Sequence, residues 1–123
     1  CPTYFEKPGE YIVWVRAFST GSEDNGVHVG LNGEWPKTGE RLQFCQGKYE
    51  WTWSSAQRTD KKHCGEPKTI TLKIPSAGVH NVMISMREDG FEFDKMILSR
   101  DKSYTPDAGD QAETSCAATE HPA

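Results

Sequence analysis

Carboxylates crowd one short run of the chain. Between residues 86 and 95, Glu88, Asp89, Glu92 and Asp94 stand beside Arg87 and Lys95. Two carboxylates at a fixed separation are what glycoside hydrolysis requires, one as acid and the other as base or nucleophile. Carboxylate oxygens are also the hard ligands that calcium takes, and Asp94 is the candidate for that ion. The sequence holds no G-x-S-x-G elbow, no H-E-x-x-H pair and no phosphate-binding glycine loop. His28, His63, His80 and His121 are spread along the chain without ligand spacing. A small β domain has little room for a cleft holding two carboxylates at the required distance. The expectation is therefore a protein that is not an enzyme.

Binding chemistry is better supplied. Trp35, Tyr49, Trp51 and Trp53 fall in one polar, loop-rich third of the chain. Sugars present flat C–H faces that pack on aromatic rings, while their hydroxyls need charged or amide partners in fixed geometry. Asp24, Asn25, Arg58 and Glu92 are such partners. Trp51 and Trp53, two residues apart on a strand, share a face. That face is either an exposed platform or part of the core. Tyr49 sits in the preceding turn and is expected to be exposed. Trp14 lies in a strongly apolar segment and is expected in the core.

These side chains need strands to position them. Residues 11–18 are β-branched and aromatic, follow Pro8-Gly9, and read as a strand. Val27-His28-Val29-Gly30-Leu31 alternates and stops at Asn32-Gly33, a tight-turn signal. Short strands are expected at 42–45, 50–54, 68–74 and 80–87. Asp89-Gly90 predicts a hairpin turn joining the last of these to a strand from Phe91. Residues 34–41 and 55–67 read as loops. No window before residue 100 carries a helical period. Short strands punctuated by Gly and Pro imply an all-β antiparallel sandwich. From 102 to 123 the chain is rich in Ala, Thr, Ser, Pro and Asp, and reads as a linker or extended C-terminal arm appended to a domain at 1–101.

With 123 residues, 35% hydrophobic content and a net charge of −4, the chain suits one globular domain and not a nucleic-acid partner. No apolar run is long enough to span a membrane. Cys1, Cys45, Cys64 and Cys116 show no metal spacing. Cys45–Cys64 is the expected internal disulfide, while Cys1 and Cys116 either pair with each other or reach another chain. Disulfides imply an oxidising, extracellular setting.

Several strings resemble a known family. They are Gly9-Glu10-Tyr11, Trp14-Val15-Arg16, Val29-Gly30-Leu31-Asn32-Gly33, Gly78-Val79-His80 and Asp89-Gly90-Phe91-Glu92-Phe93-Asp94-Lys95. They look like the galactose-binding-like β-sandwich modules that accompany polysaccharide-degrading enzymes. The closer likeness is to the C-terminal-domain type found with glycoside hydrolase family 115 and on marine agar-degrading proteins. Residues 16–26 and 86–95 carry it, and it covers about residues 9 to 101. The resemblance implies a jelly-roll, a non-catalytic carbohydrate-binding role and a structural calcium. In the related family 6 modules a Gly-Phe-Asn-x-Asp loop contributes a sugar-binding amide, and Glu92 stands at that amide position here. It keeps an acceptor and lacks the donor. Trp51 is the nearest match to that family's sugar-stacking Trp. The family's acidic, calcium-binding N-terminal strand has no counterpart in the eight residues before Gly9.

The leading expectation is a secreted module binding a galactan- or agar-like polysaccharide through Tyr49, Trp51, Arg58, Glu92, Asp24, Asn25 and Trp35. The alternative is a structural subunit of an extracellular fibre or adhesin. Copies would join by strand addition at an unpaired sheet edge, by disulfides at Cys1 and Cys116, or by both. Expected partners are a polysaccharide, copies of the chain itself or a parent enzyme.

Overall fold

Apolar residues at every second position turn one face of β-strands inward, as in the segments 2–5, 9–19, 25–31 and 71–74. The computed structural model describes residues 1–19, 25–45, 49–86, 91–106 and 118–121. Nine strands run through them: β1 Pro2–Phe5, β2 Gly9–Ser19, β3 Asn25–Leu31, β4 Leu42–Phe44, β5 Trp51–Ser54, β6 Thr71–Ile74, β7 Gly78–Met86, β8 Phe91–Ser99 and β9 Ala118–His121. A single 3₁₀ turn, Lys37–Gly39, stands between β3 and β4.

The strands form an all-β sandwich. One sheet has the order β1-β7-β3-β4, and the other has β5-β2-β8-β9 with β6 also paired to β2. Tyr11, Val13, Val15 and Ala17 of β2 face inward with Leu72, Ile74, Met96 and Leu98. They meet Phe5, Val27, Val29, Leu42, Phe44 and Val82 from the opposite sheet. Each large side chain removed from water this way contributes roughly 1.5–3 kcal/mol before conformational entropy is counted.

Ile12, Trp14 and Ile97, on the outer face of the second sheet, form a separate small cluster with Trp53 and Tyr104. Trp14 is thus buried as expected, but outside the main core.

Asn32-Gly33 makes the tight turn its sequence predicts. Both residues have positive φ (51° and 87°), and Leu31 and Glu34 exchange backbone hydrogen bonds across it. The Asn32 side chain then fixes β7, accepting from the Asn81 N–H at 2.8 Å and meeting His80 Nδ1 at 2.9 Å.

Three sequence expectations need correction. β7 and β8, expected as one hairpin, do not pair. β7 lies between β1 and β3, while β8 lies between β2 and β9. The apolar face of each strand, Val82 on β7 and Met96 with Leu98 on β8, buries against the other sheet, so the chain crosses the sandwich here. The Asp89-Gly90 turn itself lies outside the described residues. Second, the first eight residues do hold a strand: β1 pairs antiparallel with β7, with Thr3 and Phe5 turned inward. Third, the segment expected to be an arm contains β9, which pairs in parallel with β8.

Candidate functional site

The register of the strands gathers the expected binding residues. Phe18 of β2 stands opposite Trp51 on one side and Glu92 on the other. Asn25 opens β3 opposite Phe44, and Val27 stands opposite Met86. The chain therefore crosses between the sheets three times at this end: β2 to β3, β4 to β5, and β7 to β8. Asn25, Trp51 and Glu92 all reach it along the backbone. The side chains of Asn25 and Glu92, and the whole of Asp24, lie outside what the structure describes. Tyr49, two residues before β5, is 64% exposed and holds a left-handed φ of 62°.

Trp35 and Arg58 are not brought there. Gly30 points away from the core, and a Cβ built on it would meet Trp35 at 2.7 Å. Trp35 therefore lies on the outer face of the four-stranded sheet, across the sandwich from Trp51. Arg58 follows the segment that leaves β5 for the edge of β4. Its N–H donates to the Arg41 carbonyl at 2.8 Å.

Trp51 and Trp53 face outward. In an antiparallel pair, residues directly opposite share a face. Trp53 is opposite Arg16 and Trp51 is opposite Phe18, both on the face away from the core. Trp51 is half-buried and braced from two sides. The Arg16 guanidinium lies 5.2 Å from its ring centroid, and the Phe18 ring packs at 5.5 Å with planes tilted 50°. A cation over an indole is worth roughly 0.5–2 kcal/mol, and an aromatic pair about as much.

Asp94 completes this platform through a bulge. β2 and β8 change register between Arg16 and Ala17: Arg16 pairs with Lys95, and Ala17 pairs with Phe93. Asp94 is the extra residue, and bulges re-aim the side chains that they carry. Its carboxylate meets Arg16 at 3.2 Å and Lys95 at 3.9 Å. The other carboxylate oxygen, Oδ1, is buried and finds no hydrogen-bond partner among the described residues.

The calcium expectation fits poorly here. A calcium ion needs six to eight oxygen ligands, whereas two cations already flank Asp94. Among the described residues no three His, Cys, Asp or Glu side chains group as a metal site would require.

Beside the platform is a cleft of about 270 Å³. Trp14 and Trp53 line it from the sheet face, Gln43 and Ser54 from the sheet edge, and Cys45 and Cys64 from the loop. The disulfide between those cysteines borders it, with Cα atoms 5.7 Å apart. Ser54 Oγ donates to the Gln43 backbone carbonyl at 2.6 Å, tying β5 to β4. Trp14 Nε1 and Gln43 Oε1 are buried and have no partner among the described residues. Each such group costs about 1–3 kcal/mol when unpaired.

On the neighbouring loop, Lys62 donates to the Glu66 carboxylate. That hydrogen bond, then the lysine charge, hold the Glu66 carboxyl below its ordinary range. Cys1 is also disulfide-bonded, while Cys116 lies outside the described residues.

Three contributors were not picked out from sequence: Arg16, Phe18 and Gln43. Arg16 carried a signal, a lone charge in an apolar strand at the same parity as Trp14. Gln43, polar between Leu42 and Phe44, carried a weaker one.

Over 102 residues the chain is 61% identical to Uncharacterized protein P23 of Formosa agariphila. The match covers 83% of this chain and 25% of that protein, so the chain spans about a quarter of the curated relative's length. No family model matches the chain, and no solved structure does. No helix among the described residues is long and apolar enough to cross a membrane.

Proposed function

We propose that the chain is a non-catalytic module that binds a polysaccharide at the end of the sandwich where Trp51 lies. One observation carries this reading. The strand register converges Asn25, Trp51 and Glu92 on a single end, and Trp51 is held there, half-exposed, by Arg16 and Phe18. A rigid indole beside fixed charges suits a sugar, which offers C–H faces to the ring and hydroxyls to the charges.

The resemblance to galactose-binding-like modules supports the same reading and points to a galactan-like polymer. The Cys45–Cys64 disulfide fits an oxidising compartment, and an extracellular setting is part of the proposal.

Affinity electrophoresis through gels containing agarose, porphyran, xylan or alginate tests this directly. Retardation of the wild type by one of these polymers, relieved by Trp51→Ala, is the expected result. Equal mobility in every gel would exclude the reading.

A further inference from the structure

The polysaccharide reading rests on one indole, Trp51, yet β5 carries a second. Trp53 stands two residues further along the strand, on the same outward face. Two residues of strand rise roughly 7 Å, on the scale of one sugar unit. Both indoles are half-buried, so each keeps part of its surface open to solvent. Both are also held by their neighbours. Trp51 is braced by Arg16 and Phe18, while Trp53 packs on the buried cluster of Ile12, Trp14 and Ile97.

The cleft shows which way a long ligand runs. Its lining takes Thr52, Trp53, Ser54, Ser55 and Ala56 in unbroken succession, so it follows β5 lengthwise and continues past the end of the strand. Trp53 therefore belongs both to the platform and to the wall of the cleft. The crosswise direction offers different chemistry. From Trp53 it meets Arg16 and then Lys95, two cations that already flank Asp94. An aromatic face reads the C–H surface of a sugar ring, whichever unit of a chain supplies it. Two such faces in line, with an open cleft beyond the second, suit consecutive units of a chain that continues past the site.

We infer that the polymer lies lengthwise along β5, with consecutive units on Trp51 and Trp53, and that the module recognises internal stretches of chain and not chain ends. The inference rests on the polysaccharide reading and deepens it, because it states which part of the polymer is bound.

The test takes whichever of agarose, porphyran, xylan and alginate retards the protein and compares its oligosaccharides, from disaccharide to octasaccharide, by calorimetric titration. Affinity is expected to rise at least about tenfold between disaccharide and hexasaccharide. Borohydride reduction of the terminal unit should leave the hexasaccharide affinity unchanged. Trp53→Ala should flatten the rise with length. Trp53→Phe, which keeps a ring on the Ile12–Trp14–Ile97 cluster, should restore most of it. The wild-type length series and the reduced oligosaccharides decide the matter even where Trp53→Ala melts early.

A disaccharide that binds as tightly as the hexasaccharide overturns the lengthwise inference, as does binding that is lost on reduction of the end. In either case Trp51 stands as the platform if Trp51→Ala still relieves retardation. A rise with length as steep in Trp53→Ala as in the wild type also overturns the inference. Equal mobility in every gel overturns both readings.

Discussion

Arg16 joins the two halves of the candidate site, since one guanidinium pairs with Asp94 and lies over Trp51. Its side chain is 13% exposed against 32% for Asp94, so the pair is only partly screened by solvent. Arg16→Met keeps the apolar stem and leaves the carboxylate without its closest cation. The expected cost is about 1–3 kcal/mol in urea unfolding. Arg16→Met with Asp94→Asn should cost less than the two singles added, because they remove one shared interaction. Strict additivity would mean that the ion pair holds nothing. Glu66 is the contrasting case. Its lowered pKa places its stabilising effect above the unfolded value, to be lost as pH falls through the folded one. The carboxylate is exposed, so solvent screens the pair, and Glu66→Gln should melt with the wild type in acid and at neutrality.

Glycines and the disulfide set the elements of the sandwich. A Cβ on Gly39 would come within 2.2 Å of the Val29 carbonyl oxygen, a backbone atom that cannot swing aside. Gly33 has open space and only its positive φ to lose. Gly39→Ala should therefore destabilise by more than about 2 kcal/mol, and Gly33→Ala by about 1 kcal/mol. The reverse order in thermal melts would contradict the packing. The Cys45–Cys64 bridge spans 19 residues of chain, and replacing both cysteines by Ala should cost about 3 kcal/mol.

At this scale the sequence was readable where the code is local. Asn32-Gly33 dictates its own turn by φ alone, and the alternation in β2, β3 and β6 marks their buried faces. Sheet membership is not local. Asp89-Gly90 between apolar runs reads as a hairpin, yet the two strands bury against opposite sheets, and only the whole sandwich decides that. β1 and β9, four residues each, are too short to show a period and form because an edge strand is there to pair with. The same limit applies to the site. Residue type picked out Trp51, but the bulge that sets Asp94 against Arg16, and the edge crossing that puts Gln43 and Trp14 in the lining of one cleft, follow from tertiary register.

Across the whole molecule, the two outer faces differ. Trp51, Arg16, Asp94 and Trp53 occupy one, while the other carries Trp35 over Gly30 and an exposed pair, Tyr4 opposite Val79. Polysaccharide binding on the first face needs no second copy of the chain. The purified protein should therefore run as one band in non-reducing electrophoresis, whereas thiol-sensitive ladders would favour the fibre-subunit alternative. Calorimetric titration with soluble oligosaccharides released from the polymer that retards the protein is the most direct test of the central claim. A saturable heat in the wild type, reduced at least about tenfold in affinity by Trp51→Ala with the fold intact, is the expected result. Unchanged affinity in Trp51→Ala, or no heat in the wild type, would contradict it.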